Sequence, residues 1–382
     1  MSEQTMRSER SERQRLLSAV HAELARGRRF ALATIVGTQG STYRHAGARL
    51  LVREDGSWEG NISGGCLEGE VVAVGARVME RGEPELVAYD LTADEEAIWG
   101  WGLGCNGAID VLVEPAEQAG EAVRLIEQGA ESGGSHALIT VAASSDPKLP
   151  PGHHELLSDT DEHDLPGPLA DAARDALRTG RTERTELVTD GGTVDVLVEV
   201  VRPPIRLLVC GAGHDAVPLV RFARQLGWEA VVVDDRSSFL SEHRFPEASG
   251  FVHTRPEEAA SAAGIRERTV VVVMSHNFLR DVDYLASFLG TDIDYLGMLG
   301  PSQRLERLLD QVAERGIRPS EEDREKLHGP AGLDLGAEGP EEIAWSICAE
   351  ILAVDRGHAG GSLSAREGPI HAGRRAATSE GA

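Results

Sequence analysis

The segment that most constrains the fold is a glycine-rich turn that directly follows a short apolar run. Residues 205–210 have the character of a buried strand, and residues 211–216 (GAGHDA) follow them and open a predicted helix. This is the G-x-G-x-x-[GA] pattern in the strand–turn–helix context that makes it informative. Gly211 permits the tight turn, and Gly213 lets a ligand approach the backbone and the positive end of the helix. Ala216 permits close packing of the helix against the strand.

Apolar runs alternate with helical patterns after this turn. The runs lie at 207–210, 231–234, 270–274 and 295–299. This rhythm predicts βαβ units around a parallel sheet, and so a Rossmann-like domain that we place at residues 203–355. The second run ends in Asp234 and Asp235, about 20 residues after the turn, where an acid would accept the 2′-hydroxyl of a dinucleotide ribose. Asp234 is the first candidate, but such turns also serve packing alone, so binding of NAD(P) or another nucleotide stays open.

The run Arg202-Pro203-Pro204 separates this domain from an N-terminal part of different character. We predict an α/β domain with a mixed sheet over residues 12–202. Its predicted helices and strands include 12–27, 30–37, 48–53, 67–79, 108–114 and 137–142. Residues 144–168 are rich in Ser, Asp, His and Pro, which is typical of a mobile insertion. Residues 1–11 and 356–382 are predicted to be disordered tails.

Composition excludes several classes of function. Lys and Arg number 38 against 63 Asp and Glu, a net charge of −25, so nucleic acid and anionic membranes are poor partners. There is no G-x-x-x-x-G-K-[ST] loop, which excludes a Walker-type nucleotidase. No apolar run approaches the ~20 residues of a membrane helix, and the charged start is unlike a secretory signal. We therefore expect a cytoplasmic protein.

Two of the four cysteines lie among glycines. Cys66 falls in residues 63–69 (SGGCLEG) and Cys105 in residues 100–107 (GWGLGCNG), whereas Cys210 and Cys348 are expected in apolar cores. Such glycine density indicates a backbone that bends sharply or admits a ligand. Cys66 also stands where a helix begins, and the free N–H groups and dipole there favour a nucleophilic thiolate. Spacing alone leaves open the alternative of tight turns that carry small residues.

A third glycine-flanked segment, residues 40–44 (GSTYR), carries a hydroxyl and a guanidinium. The planar guanidinium of Arg44 suits an anion or a phosphate, and Ser41 stands beside it. An ordinary surface arginine is the alternative for this position.

Taken together, these motifs resemble the xanthine dehydrogenase accessory protein family (XdhC/CoxI). The resemblance extends in order from about residue 30 to residue 352 and so covers nearly the whole predicted folded chain. The matching segments are 40–44, 47–49 (GAR), 63–68, 102–105 (GLGC), 211–214, 233–236, 275–276, 297–300, 332–336 and 340–344.

The resemblance implies a maturation chaperone more than an enzyme. Such proteins bind molybdenum cofactor and protect it while a cysteine desulfurase supplies its sulfido ligand. They then pass it to apo-xanthine dehydrogenase or a related molybdenum hydroxylase. It also implies a homodimer, and it argues against a complete xanthine dehydrogenase, because the chain lacks an iron–sulfur cysteine pattern.

Within this resemblance the residues divide by chemistry. A thiolate suits the soft metal or a sulfur in transit, so Cys66 and then Cys105 are the predicted residues for handling sulfur and for contacting molybdenum. The glycine loop and Arg44 suit the phosphate of the cofactor, and His276 suits its ring edges. The predicted cofactor-binding residues are Ser41, Arg44, Ser63, Gly64, Gly65, Gly104, Gly211, Gly213, His214, Asp234 and His276.

Some positions depart from the family pattern. Tyr43 stands in place of a proline, Asn106 in place of a glycine, and Asn277 in place of an acid. Asp281 and Arg304 are expected on helix surfaces.

Two other functions remain as hypotheses. One is an NAD(P)-dependent oxidoreductase that uses the Gly211 turn with His276 as acid or base. The other is a scaffold that docks the partners without holding cofactor.

Overall fold

The computed structural model describes residues 11–90, 106–158 and 165–365, which divide into two compact units. One unit comprises Glu12–Pro203 and the other begins at Pro204. The helices are α1 (Glu12–Ala25), α2 (Glu68–Arg81), α3 (Ala116–Glu131), α4 (Gly167–Thr179), α5 (Ala216–Gln225), α6 (Ala259–Ala263), α7 (Phe278–Phe288), α8 (Ser302–Glu314), α9 (Glu321–Lys326) and α10 (Pro340–Arg356). Across the described ranges, no helix combines the length and the apolar character that a membrane crossing requires.

The strands build three sheets. Those of the N-terminal unit are β1 (Phe30–Ser41), β2 (Arg49–Arg53), β3 (Trp58–Gly60), β4 (Glu85–Asp90), β5 (Asn106–Pro115), β6 (His136–Ser144), β7 (His154–Leu157), β8 (Glu183–Thr189) and β9 (Gly192–Val201). Those of the C-terminal unit are β10 (Arg206–Cys210), β11 (Glu229–Asp234), β12 (Gly250–His253), β13 (Thr269–Val273), β14 (Tyr295–Met298) and β15 (Leu327–His328).

The C-terminal unit is built on one parallel sheet of six strands. Its strand order is β12-β11-β10-β13-β14-β15, and every pairing is parallel. Renumbered from β10, this is the doubly wound order 3-2-1-4-5-6, in which ligands bind where the order reverses between the first and fourth strands. The predicted Rossmann-like sheet is therefore confirmed, and the reversal point lies between β10 and β13.

Apolar side chains on both faces explain why this sheet is covered on both sides. Successive residues of β10 point to opposite faces, so Leu207 packs with one core and Leu208 with another. The first core includes Ile347 of α10, and the second includes Leu285 of α7. Each such buried side chain contributes about 1.5–3 kcal/mol to folding. Continuous apolar runs such as β13 (TVVVV) are typical of strands buried on both faces.

The N-terminal unit contains two antiparallel sheets. The five-stranded sheet has the order β3-β2-β1-β5-β4, and the four-stranded sheet has the order β7-β6-β9-β8. Helix α2 packs on one face of the larger sheet through residues such as Val74, and α1 and α3 cover the other face. The predicted class, an α/β unit followed by a Rossmann-like unit, is confirmed. The N-terminal sheet is predicted to be mixed, but the described strands of this unit pair antiparallel, because hairpins and short connections join most of the paired strands.

Two segments differ in extent from the predicted elements. Strand β1 continues beyond residue 37 to Ser41 because β5 pairs with it from Ala31 to Ser41, with a bulge between Ile35 and Gly37. Within the predicted insertion at 144–168, His154–Leu157 is a strand paired with β6, and residues 159–164 lie outside the described residues. Residues 1–10 and 366–382 of the predicted tails also lie outside them.

Candidate functional site

The turn that carries Cys66 is organised by a buried carboxylate, Glu68 in the first turn of α2. Glu68 is 4% exposed and accepts hydrogen bonds from the Ser63 amide at 3.0 Å, the Gly65 amide at 2.9 Å and the Ser63 hydroxyl. Burial by itself raises the pKa of Glu68, but the bonds from Ser63 outweigh burial and hold the pKa below its ordinary value. The carboxylate therefore stays charged and constrains the turn.

Cys66 is presented at the start of α2 on this turn. Its thiol is half-buried and donates to the Ser63 carbonyl at 3.4 Å. Gly64 and Gly65 adopt φ of +78° and +113°, a region that side chains rarely occupy, and both are exposed. The glycines flanking Cys66 thus serve a left-handed turn that leaves the thiol open on one side.

The segment that carries Ser41 and Arg44 lies against this turn. An added Cβ at Gly64 would meet the Tyr43 ring at 3.4 Å, so the ring rests on the glycine backbone. Arg44 donates to Glu12 at 3.0 Å, and both side chains of this pair are about one-third exposed. The structure thereby brings the 41–44 segment next to the Cys66 turn through Tyr43 and Gly64.

The second predicted cysteine cannot be placed beside this turn. Gly104 and Cys105 lie outside the described residues. The strand register pairs Ser41 with Asn106, the first described residue after Cys105.

The G-A-R motif serves packing within the N-terminal unit. Arg49 is 8% exposed and forms an ion pair with Glu199 at 2.5 Å. An added Cβ at Gly47 would lie 3.2 Å from that carboxylate, which explains the glycine. The same guanidinium donates to the Gly47 carbonyl at 2.9 Å. This pair joins the larger sheet to the smaller one.

In the C-terminal unit, the Gly211 turn passes very close to the end of β13. An added Cβ at Gly211 would lie 2.7 Å from the Met274 carbonyl oxygen, and its φ is +117°. Gly213 is covered instead by a side chain, because an added Cβ there would meet an Asp215 carboxylate oxygen at 2.7 Å. A negative group of the protein thus lies where the sequence predicts the approach of a phosphate. His214 is exposed on the same turn.

His276 contacts Asp215 at the reversal point of the sheet. Its Nε2 lies 2.6 Å from the Asp215 carboxylate, and its side chain is 60% exposed. The backbone of His276 has φ of +55°, one of two such non-glycine residues in the described chain. Backbone strain of this kind is concentrated at functional sites.

A hydrogen-bonded network around the buried Asp281 adjoins His276 through Ser275. The Ser275 hydroxyl donates to Asp281 at 2.5 Å, and Arg304 donates to the same carboxylate at 2.7 Å. Asp281 is 2% exposed, so the expectation of a helix surface is wrong for Asp281, whereas the Arg304 side chain is 28% exposed. Helical periodicity did not identify these residues, because their partners lie on other elements. Asn277 caps α7 by accepting from the amides of Leu279 and Arg280.

Asp234 is fully engaged by the protein. It is 2% exposed and accepts from the Ala212 amide at 2.7 Å and from the Arg236 guanidinium at 2.7 and 2.8 Å. Burial raises the pKa of Asp234, but the bonds from Arg236 and Ala212 outweigh burial and lower the pKa to about 2. Asp235, the second candidate, pairs with Arg280 at 2.9 Å.

A cavity of about 710 Å³ opens beside His276 and Asp215. Its walls are the end of β14, the loop 330–338 and the start of α10. Glu350 anchors the loop by accepting from the Gly332 amide at 2.7 Å and from the Tyr295 hydroxyl at 2.5 Å. Burial raises the pKa of Glu350, but bonds from His328 and Tyr295 lower it overall, so the anchor is charged.

The described residues do not form a protein-only metal site. Within residues 11–90, 106–158 and 165–365, no three His, Cys, Asp or Glu side chains converge to hold an ion.

Comparisons with known proteins agree with the architecture. The model of the XdhC and CoxI family matches residues 23–90, and that of the XdhC Rossmann domain matches residues 207–351. A Bacillus subtilis protein named as a probable subunit of xanthine dehydrogenase is 32% identical over 322 residues, which cover 84% of this chain and 92% of that protein. An Escherichia coli protein named molybdenum cofactor insertion chaperone PaoD is 24% identical over 332 residues, covering 87% and 85%.

A solved structure shows the same fold. The crystal structure of a Bacillus halodurans protein described as a xanthine dehydrogenase superposes with a TM-score of 0.69. The two chains are 27% identical, and the match covers 94% of this chain and 98% of the other. The resemblance noted in the sequence is thus confirmed, and the chain belongs to the XdhC and CoxI family.

Proposed function

We propose that this protein is a maturation chaperone that binds molybdenum cofactor, holds it during sulfuration and inserts it into apo-xanthine dehydrogenase or a related molybdenum hydroxylase. Family membership and the relative named as a cofactor insertion chaperone support a role in molybdenum cofactor maturation. A cysteine desulfurase is the proposed sulfur donor. The working form is proposed to be a cytoplasmic homodimer.

The observation that carries the proposal is the Cys66 turn. The half-buried thiol follows two left-handed glycines, and a charged, buried carboxylate constrains the turn. A cysteine that only fills a core does not need such an ordered backbone. A sulfur ligand suits the soft metal of the cofactor, and the absence of a protein-only metal site among the described residues fits a cargo that carries its own dithiolene.

The neighbouring Arg44 supplies a cation for the cofactor phosphate. Both side chains of its pair with Glu12 are about one-third exposed, and pairs open to solvent stabilise a protein by only about 0–1 kcal/mol. A phosphate, which accepts two guanidinium N–H bonds, can therefore replace Glu12 at small cost. Gly64 and Gly65 leave the adjacent backbone open to the same ligand.

Cofactor retention tests the proposal. The protein is incubated with cofactor released from a donor molybdoenzyme, desalted and oxidised, and the pterin is read by fluorescence. We expect close to one pterin per wild-type chain and a large loss in Cys66→Ala. Cys66→Ser keeps the size of the side chain without a soft donor, so it should also lose cofactor. Wild-type protein that retains no pterin would refute the proposal.

Protection of the thiol gives an independent readout. Bound cofactor should slow alkylation of Cys66 by iodoacetamide, measured by mass spectrometry of its peptide. Cys210 and Cys348 are buried and should react slowly with or without cofactor. Enzyme maturation that survives Cys66→Ala, by a protein that retains no cofactor, would instead support the scaffold hypothesis.

The NAD(P)-dependent oxidoreductase remains a second candidate because the strand order and the Gly211 turn are those of dinucleotide-binding domains. Two contacts weigh against it. Asp234 already uses its carboxylate on Arg236 and Ala212, and the Asp215 carboxylate covers Gly213. Saturable binding of NADH that is lost in Asp234→Ala would favour this candidate.

A further inference from the structure

The cavity beside His276 has an unusual polarity. Three of its lining residues are acids, Asp215, Asp334 and Glu338, and of the described residues that line it none is Lys or Arg. Arg304 packs beside Gly300 at the wall, but its guanidinium donates to Asp281. The described lining therefore offers negative charge and no lysine or arginine to balance a phosphate.

The hydrogen-bonding groups of the cavity are mostly acceptors. The carboxylates of Asp334 and Glu338 are exposed, and no described residue pairs with them. The Ser346 hydroxyl uses its proton on the Leu333 carbonyl at 2.6 Å, which leaves only its lone pairs for a ligand. The Asp215 carboxylate is already engaged by His276 Nε2 at 2.6 Å.

The backbone donors of the lining are largely used as well. Several amides of the wall already donate within the protein, namely those of Leu299, Ala331, Gly332, Leu333, Leu335 and Glu338. An anionic ligand needs donors or cations, so it would meet unmatched acceptors here. A ligand that carries N–H donors would match them.

The remaining lining residues are apolar, and the cavity is large enough to hold a ring. Leu299, Pro301, Pro330 and Ile343 contribute apolar surface. A volume of about 710 Å³ is within the range of small-molecule sites and exceeds the needs of a bicyclic heterocycle. Two adjacent N–H donors on a planar ring match the two oxygens of one carboxylate.

We infer that this cavity receives the uncharged edge of a pteridine ring that carries the 2-amino and adjacent ring N–H donors, and that it excludes phosphate. The inference rests on the proposed function, which supplies a pterin as cargo. The carboxylates of Asp334 and Glu338 accept hydrogen bonds from the amino and ring N–H groups, while the apolar wall covers the ring face.

Equilibrium dialysis of the full chain with free pterin tests the inference. Pterin fluoresces and carries no phosphate, and lumazine differs from it by a carbonyl oxygen in place of the 2-amino group. We expect saturable binding of pterin, lumazine binding weaker by about tenfold or more, and no competition by inorganic pyrophosphate. Equal binding of lumazine, or competition by pyrophosphate, would overturn the inference. Guanosine shares the donor edge, and tighter binding of guanosine than of pterin would overturn the assignment to a pteridine.

Two kinds of variant locate the site. Ile343→Trp fills the cavity and should abolish pterin binding, whereas Leu352→Trp, on an exposed position of the same helix, should retain it. The exposed double variant Asp334→Asn/Glu338→Gln should fold normally and lower pterin affinity about tenfold or more. Wild-type affinity in either cavity variant would contradict the inference.

The outcome is distinguishable from failure of the proposed function. Wild-type protein that retains whole cofactor but binds no pterin would refute the cavity assignment alone. Protein that binds pterin in this cavity but retains no cofactor would refute the chaperone proposal and leave the cavity assignment standing.

Discussion

Replacing Glu68 by Gln tests the claim that one buried carboxylate organises the Cys66 turn. The substitution keeps the shape of the side chain but replaces one carboxylate oxygen by an NH₂ group. That group then faces the amide and hydroxyl donors of Ser63 and Gly65. Whichever oxygen is replaced, an amide of Ser63 or Gly65 loses its acceptor. Hydrogen bonds to charged groups contribute about 1.5–3 kcal/mol each, and the exposure of the turn allows some rehydration. We expect a loss of about 2–4 kcal/mol in the free energy of unfolding of the N-terminal unit.

Thermal unfolding measures this loss. For a unit of this size, 1 kcal/mol corresponds to roughly 2–4 °C, so the midpoint should fall by roughly 5–15 °C. Glu70→Gln is the matched control, since Glu70 lies two residues away in the first turn of α2 and is exposed. The loosened turn should also raise the rate of Cys66 alkylation in Glu68→Gln but not in Glu70→Gln.

The pH dependence has a definite sign. The folded state lowers the pKa of Glu68, so its stabilisation is fully present above the ordinary glutamate pKa near about 4.3. It is lost as the pH falls through the lower, folded-state value. The stability difference between wild type and Glu68→Gln should therefore be constant near neutral pH and shrink below about pH 4. A difference that grows on acidification, or one no larger than that of Glu70→Gln, would refute the reasoning.

Three further predictions concern other parts of the chain. Gly211→Ala should destabilise the C-terminal unit by about 3 kcal/mol, because its Cβ would contact Met274 at a positive φ, as calorimetry can show. Arg49→Met should cost about 3 kcal/mol in urea unfolding, because it leaves Glu199 without its partner. Asp234→Asn should cost about 2 kcal/mol above pH 4, with the difference from wild type fading towards pH 2, because the folded-state pKa of Asp234 is lowered to about 2.

Each of these predictions has a control in the same unit. Gly250→Ala adds a Cβ that meets no atom within 4 Å, so it should leave stability nearly unchanged. Arg81→Met breaks a more exposed pair, and Glu247→Gln alters a half-exposed loop residue, so both effects should be small. Controls as costly as their test variants would contradict the packing and ion-pair arguments.

In the Gly211 turn, the residue pattern does not determine how much space surrounds the glycines. The G-x-G-x-x-A turn folds as its pattern predicts, but Gly213 lies under Asp215 and Gly211 lies under the end of β13. The turn therefore supports close packing of two strands and a helix. A ligand that binds in the cavity rather than at the turn contacts His276 and the loop 330–338.

The sequence by itself determined the Rossmann-like unit, its glycine turn and the family. These signals are local: apolar runs with strand length, helical periodicity and a turn that needs glycine all act within a few residues. The glycines around Cys66 were also informative, because left-handed φ values at Gly64 and Gly65 are a local requirement.

Only the tertiary structure decided which acids are used and how. Asp215 and His276 are 61 residues apart, Arg49 and Glu199 are 150 apart, and Asp281 meets Arg304 of another helix. Sequence reasoning chose Asp234 as a ligand-binding acid, yet the fold engages it with Arg236 and Ala212. The pairing of a charged side chain depends on which elements pack together, and no local pattern contains that information.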